Sequence, residues 1–199
     1  MTTKRLFDLT LAALGLVLMA PLLLAVPVLI RLDSPGPAVF RQTRVGRGLR
    51  PFTIYKFRTM RSATGAPGAS LTAPHDPRIT RVGRWLRETK IDELPQLFNV
   101  LRGDMSLVGP RPEVPEYVEA FRDGFTRLLR GRPGITDPAS LRYRNESALL
   151  AGVADPDLEY RQRILPDKLR LSIEYAERAT LRSDIALIFQ TLFGPRREF

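Results

Sequence analysis

The chain has 199 residues, enough for one ordinary domain with a sizeable core, and no repeat or glycine-serine linker asks for a second. It has no cysteine and one histidine, which excludes a disulfide framework, a thiol nucleophile and a multi-histidine metal site. Lys+Arg number 31 against 21 Asp+Glu, a net charge of +10, so an anionic partner is expected: nucleic acid, an anionic membrane surface or a phosphate-bearing small molecule. Most of the cations are arginine, whose planar fork suits bidentate recognition of phosphate.

The first element is apolar almost without break from Leu9 to Ile30, about the 20 residues that a membrane helix needs. The run is too long for a cleaved signal peptide, and "RLDSPG" offers no small-residue cleavage site. Pro21 near its middle predicts a kink, and Pro27 repeats the disruption nearer the end. Lys4 and Arg5 precede the run, and Arg31, Arg41, Arg44, Arg47 and Arg50 follow it, so the positive-inside rule favours the cytosol for both ends. A kinked span and a helix that enters, breaks at Pro21 and leaves on the same side both remain open on these residues. Lys4 and Asp8, one turn apart, are expected to pair at the headgroup level.

After the turn-rich "DSPGP", the segments "AVFRQ" and "PFTIYKFRTM" predict two strands around the turn "RVGRG", a β-hairpin. Strand alternation places Lys56 and Arg58 on one face as a cationic pair. Ser62 to Ala73, rich in Gly, Ala, Ser, Thr and Pro, is expected to be a mobile loop. "ITRVGRWLRETK" predicts a short helix with Ile79, Val82 and Leu86 on one side, Trp85 beside them and Arg81, Arg84 and Arg87 on the other faces. That helix suits either a membrane surface or the core.

In "TKIDELPQLFNV", Leu94, Leu97, Phe98 and Leu101 repeat at i, i+3, i+4 and i+7, predicting an amphipathic helix that ends near Gly103. Pro95 then belongs to its first turn and Asp92 to the N-cap, where the helix dipole and backbone N–H groups would favour the ionised carboxylate. An acid at a helix start often does nothing but cap it. Two adjacent carboxylates, Asp92 and Glu93, followed by a rigid turn that mounts Arg111 between two prolines, suit a divalent cation and pyrophosphate chemistry instead. In the C-terminal third, Leu169, Ile173 and Ala176, then Ile185, Ile188, Phe189 and Leu192, mark helices expected to pack on the body or to dock on lipid, with Ser183 a candidate cap.

Two long ordered blocks, "KRLFDLTLAALGLVLMAPLLLAVPVLIRLDSPGPAVFRQTRVGRGLRPFTIYKFRTM" and "DPRITRVGRWLRETKIDELPQLFNVLRGDMSLVGPRPE", resemble the bacterial sugar transferase family, the monotopic phosphoglycosyl transferases. The resemblance implies transfer of a sugar phosphate from a UDP-sugar to a polyprenol phosphate, with loss of UMP, at the cytosolic face of the bacterial inner membrane. It implies that Asp92 is the nucleophile, that Glu93 helps to hold Mg²⁺, and that Arg111 contacts phosphate, with Arg87, Lys56 and Arg58 as further phosphate-binding candidates. It also implies a re-entrant helix broken at Pro21. The expected fold is α+β and mainly helical: an anchor over residues 1–33, then a catalytic domain over 34–199 with the hairpin and interfacial amphipathic helices.

The chain departs from the family pattern in two places. The break reads Ala20-Pro21 where many members have Ser-Pro, so the carbonyl freed by the proline lacks a serine hydroxyl. After "RPGIT" the chain reads "DPASLRYRNES", where Arg142, Arg144 and Asn145 are candidates for substrate recognition or form a solvated basic turn. Two other readings stay open: an enzyme working through a ternary complex with Asp92 as general base, and a non-catalytic basic module bound to anionic lipid or nucleic acid. The second gives the ordered blocks no role, and no nucleic acid partner is expected.

Overall fold

A computed structural model describes residues 2–61 and 76–194, so the loop expected over Ser62 to Ala73 lies outside the described residues. The architecture is α+β and mainly helical. Helices α1 (Thr3–Leu18) and α2 (Ala20–Asp33) meet at Met19 with a bend of 60°. Among the described residues no single helix is long and apolar enough to cross a membrane, and only the bent pair together has that character. Pro21 sits in the first turn of α2, where the N–H it lacks is not needed. Pro27, expected to disrupt the run, stays inside α2 without ending it.

The pair has two faces. Leu14, Val17, Leu18, Leu24, Val28 and Leu32 are exposed, each by half or more. Ala12 instead packs with Ile54, Val100 and Met105, and Val26 and Ile30 pack with Ala38, Phe57 and Leu86. Tertiary contacts also replace the expected Lys4–Asp8 pair. Asp8 is buried and accepts from Ser106 Oγ (2.8 Å) and the Leu107 N–H (3.2 Å), while Lys4 donates to the Val108 carbonyl (3.1 Å) and pairs with Asp184. An exposed i,i+4 pair gains little in water, whereas these partners satisfy groups that folding has already desolvated.

Strands β1 (Val39–Val45) and β2 (Pro51–Phe57) form the expected antiparallel hairpin, in register from Val39 opposite Phe57 to Val45 opposite Pro51. Helix α3 (Arg81–Thr89) is capped by Thr80, which accepts from the Gly83 N–H at 2.9 Å. Leu86 buries fully against the side chains of α2, and Trp85 remains 42% exposed. A side chain at Gly83 would meet the Thr59 carbonyl oxygen at 2.0 Å, so glycine allows α3 to lie against the end of the hairpin.

Helix α4 (Gln96–Arg102) ends at Gly103 with φ 95°, as its sequence predicts, but its buried face differs from expectation. Phe98 and Leu101 are exposed, while Gln96, Asn99 and Val100 are buried. Asn99 explains part of the rotation: Oδ1 accepts from the Tyr55 N–H (3.1 Å) and Nδ2 donates to the Thr53 carbonyl (2.7 Å), serving backbone groups of β2 that apolar side chains would leave unpaired.

Short strands β3 (Ser106–Val108) and β4 (Gly134–Thr136) pair in parallel. The remaining helices are α5 (Pro115–Ala120), α6 (Arg122–Leu128), α7 (Pro138–Arg142), α8 (Glu146–Leu150), α9 (Pro156–Glu159), α10 (Leu165–Arg178) and α11 (Leu181–Phe193), with a π-helical turn over Tyr160–Ile164. Tyr117, Phe125, Leu129, Tyr160, Ile164 and Leu165 form their core. The cap of α11 is Thr180; Ser183, expected as the cap, is its reciprocal partner in a capping box.

Candidate active site

Asp92 and Glu93 occupy a 3₁₀ turn, Ile91–Glu93, entered through Lys90 in the left-handed conformation (φ 60°). Asp92 is therefore not the N-cap of α4, which begins only after Pro95. Asp92 is 9% exposed, and its buried Oδ1 has no hydrogen-bond partner among the described residues. Burial and the neighbouring Glu93 charge raise its pKa, opposed by Lys56, Lys90 and Arg111. The expectation of a carboxylate whose ionisation is favoured by helix N–H groups is thus corrected: the site disfavours the charge that it carries.

Glu93 has the opposite environment. Its Oε1 accepts from Lys56 Nζ at 2.9 Å, and both of its oxygens accept from the Arg111 guanidinium, Oε2 from Nη1 at 3.3 Å. Burial alone would raise the Glu93 pKa, but the charges of Arg111 and Lys56 hold it well below the usual carboxylate range. One carboxylate is thereby spent on two cations while its neighbour keeps an unengaged oxygen. Lys56 arrives from β2, and burial pushes its pKa down against the pull of Glu93.

The loop that carries Arg111 is tied on both sides. The Gly134 N–H donates to the Pro110 carbonyl (2.9 Å), the Gly109 N–H to the Thr136 carbonyl (3.0 Å), and Arg44 Nη1 to the Pro112 carbonyl (3.1 Å). A side chain on Gly134 would come within 2.1 Å of the Gly109 nitrogen, so this close approach needs glycine. Behind the loop Glu113 is buried and accepts from the Tyr160 hydroxyl (2.8 Å) and Arg44 (3.3 Å), with Lys168 bridging Glu146 (2.7 Å) and the Tyr160 hydroxyl (3.0 Å). Sequence reading did not find this network, whose members lie up to 124 positions apart (Arg44 to Lys168).

The other candidate residues divide. Arg87 donates from Nε to Thr59 Oγ1 at 2.8 Å and feels the Asp92 charge, so it belongs to the neighbourhood of the acid pair. Lys56 and Arg58 have different partners: Lys56 bonds Glu93, whereas the Arg58 guanidinium donates to Ser34 O (2.6 Å), Ser34 Oγ (2.9 Å) and Pro35 O (2.8 Å) at the end of α2. Arg142 pairs with Asp167 at 3.4 Å, Arg144 donates to the Thr191 carbonyl, and Asn145 stands at the start of α8; these partners come from α10 and α11.

Among the described residues no group of three or more His, Cys, Asp or Glu side chains converges as a metal cage. Mg²⁺ commonly binds through one or two carboxylates, water and substrate phosphates. Glu93, beside Asp92 in the same turn, suits that sparser arrangement.

A family model described as bacterial sugar transferase matches residues 1–195, and the chain belongs to that family. It is 44% identical over 192 residues to the UDP-glucose:undecaprenyl-phosphate glucose-1-phosphate transferase of Caulobacter vibrioides, covering 95% of this chain and 68% of the relative. It is 42% identical over 192 residues to the UDP-N-acetylgalactosamine-undecaprenyl-phosphate N-acetylgalactosaminephosphotransferase of Aeromonas hydrophila, covering 95% and 42%. Its identity to the UDP-glucose:undecaprenyl-phosphate glucose-1-phosphate transferase of Escherichia coli is 36% over 194 residues, covering 96% and 39%. The chain thus spans less than half the length of the last two relatives.

Proposed function

We propose that this chain moves a sugar 1-phosphate from a UDP-sugar to a polyprenol phosphate such as undecaprenyl phosphate, releasing UMP, with Asp92 as the attacking group. The observation that carries the reading is the contrast within the acid pair: Asp92 Oδ1 is unengaged, whereas Glu93 is locked to Lys56 and Arg111. An Asp92 oxygen attacks the β-phosphorus of the donor, the bond from that phosphorus to the bridging oxygen breaks, and UMP leaves with the electron pair. The aspartyl phosphosugar is then attacked by an oxygen of the acceptor phosphate, and Asp92 leaves as a carboxylate. Lys56, Arg87 and Arg111 supply positive charge where phosphoryl oxygens gather. Mg²⁺ would be held, in this reading, by Glu93 together with donor phosphates, and would supply further charge neutralisation. Activity is accordingly expected to vanish in excess chelator and to return with added Mg²⁺; full turnover in chelator contradicts this.

Single turnover with a panel of UDP-sugars, in the absence of acceptor, tests the covalent step. UMP release with labelled phosphosugar left on the protein is expected from the true donor, whose sugar the panel also identifies. Release only when acceptor is present would favour Asp92 as a general base.

The bent α1–α2 pair is proposed to re-enter the cytosolic face of the membrane, residues 1–33 forming the anchor of a catalytic domain over 34–199. The acceptor phosphate sits at headgroup level while the donor is soluble, so the acid pair must be held at that interface. The chain lacks cysteine, so single Thr2→Cys and Arg178→Cys variants report topology cleanly. Both are expected to resist a membrane-impermeant maleimide in intact cells; labelling of the Thr2→Cys variant would sink the re-entrant reading. Adding Pro21→Leu supplies a backbone N–H that lets α1 continue into α2 as one straight helix, and is expected to expose part of the Thr2→Cys population to the outside.

A further inference from the structure

We propose that Arg58 is a positioning residue for the second half-reaction: it clamps the end of α2 to the strand that carries Lys56 and so fixes the height of the acid pair at the lipid surface. Arg58 is 6% exposed. Its guanidinium donates from Nη1 to the Pro35 carbonyl (2.8 Å) and from Nη2 to the Ser34 carbonyl (2.6 Å), Ser34 Oγ (2.9 Å) and the Ile30 carbonyl (3.5 Å). None of these acceptors is a carboxylate, and the buried Nε has no partner among the described residues. A buried cation held only by neutral oxygens is costly, and a leucine or methionine would fill the same space without that cost. What the guanidinium supplies here is a hold on the carbonyls where α2 runs out, at the negative end of the helix dipole.

The turn before the hairpin is shaped around this side chain. Gly36 has φ 116°, a conformation that favours glycine, and a Cβ there would stand 2.3 Å from Arg58 Nη1. Residues 56–58 then serve three partners in succession. Lys56 bonds Glu93 at 2.9 Å, Phe57 shares one apolar cluster with Val26 and Ile30 of α2 and Leu86 of α3, and Arg58 holds the end of α2. The Arg58 N–H donates to the Ala38 carbonyl at 2.8 Å, which closes the hairpin at the same point. Helix α2 is tied to α3 as well, because Asp33 Oδ2 accepts from the Val82 N–H at 3.0 Å. With both Nη atoms engaged, Arg58 acts on the anchor, and phosphate binding falls to Lys56, Arg87 and Arg111.

This role rests on the membrane anchor and the covalent step proposed above. The UDP-sugar is soluble and reaches Asp92 whatever the height of the acid pair. The acceptor phosphate is kept at headgroup level by its prenyl chain, so its attack on the aspartyl phosphosugar needs the turn Ile91–Glu93 at that height. A misplacement of about 1 Å can cost on the order of 10²-fold in rate. Loosening the joint therefore slows the second half-reaction and spares the first. Loss of a phosphate ligand would slow both, and loss of folding would reduce the number of active sites without changing either rate.

The test uses the full chain in nanodiscs with Arg58→Met, which removes every donor, and Arg58→Lys, which keeps the charge but lacks the fork. The chain has no cysteine, so nitroxides on Leu32→Cys of α2 and Arg122→Cys of α6, both exposed positions, report the joint by pulsed EPR. One narrow distance is expected with Arg58 in place, and a distribution about twice as wide or more in both variants. Rapid-quench single turnover with UDP-glucose and UDP-N-acetylgalactosamine, each carrying ³²P at the β-phosphate, separates the two steps. Labelling of the protein without acceptor should stay within about twofold of the parent, while transfer of the label to undecaprenyl phosphate should slow about tenfold or more. An unchanged distance distribution overturns the proposal, as does equal slowing of the two steps, or a fall in burst amplitude with both rates intact. Should Arg58→Met fail to fold, Arg58→Lys decides alone by the same readouts. A parent that takes no label from either donor overturns the covalent reading, and the distance distribution then decides the clamp by itself.

Discussion

Asp92→Asn is expected to abolish turnover while leaving the protein at least as stable as its parent. Asparagine keeps the size and one carbonyl oxygen but cannot attack phosphorus as a carboxylate, so activity should fall by on the order of 10³-fold or more. Stability should move the other way, because the site raises the pKa of Asp92 through burial and the adjacent Glu93 charge. A carboxyl group with a raised folded-state pKa contributes no penalty below its ordinary value, about 3.9. The penalty grows as pH rises through the raised value and persists above it. The asparagine variant escapes that penalty, so its melting temperature should exceed the parent's at pH 7, and the gap should close toward pH 3–4. Measuring both proteins in excess chelator keeps metal binding out of the comparison. Normal turnover of a stable, membrane-bound variant would end the catalytic assignment; slowed turnover without any labelled intermediate in the parent would point to general-base chemistry.

The parts of this fold that depend on neighbours in sequence were legible, and those that depend on distant partners were not. The hairpin, the helix stop at Gly103 and the disruption at Pro21 follow from local backbone chemistry, and all three are present. Periodicity misread α4 because it scores polarity, not partners: Asn99 is buried since β2 offers it backbone groups, and Phe98 is left outside. The same blindness assigned Lys4 to Asp8, when β3 and α11 satisfy each of them from about 100 and 180 residues away. Strand alternation set Arg58 beside Lys56 as a cationic pair, but it could not show that the carbonyls at the end of α2 engage the Arg58 guanidinium while Glu93 engages Lys56. Adjacency of Asp92 and Glu93 singles out the turn, yet nothing local reveals that Glu93 bonds two cations while Asp92 Oδ1 has no hydrogen-bond partner among the described residues.

Glu93→Gln should act with the opposite sign to its neighbour and cause the larger loss of stability. The substitution leaves Lys56 and Arg111 facing each other without the carboxylate that both now engage. Removing one partner of a fully buried ion pair costs about 3–5 kcal/mol. The side chains here keep some solvent, 20% exposure for Lys56 and 34% for Arg111, so an expected loss of about 1–3 kcal/mol allows for screening. Arg111 and Lys56 depress the folded-state pKa of Glu93, so its contribution is fully present above the ordinary glutamate value, about 4.3, and fades as pH falls through the depressed one. The stability gap between parent and variant should therefore be widest near neutrality and shrink in acid, the reverse of a destabilised core. In catalysis the two released cations remain available to the donor diphosphate, so donor KM should hold or fall. The Mg²⁺ concentration for half-maximal rate should rise severalfold, because the carboxylate proposed to hold the ion has gone. An unchanged Mg²⁺ titration, with the stability loss intact, would leave Glu93 as the counter-ion that orients Lys56 and Arg111 and nothing more.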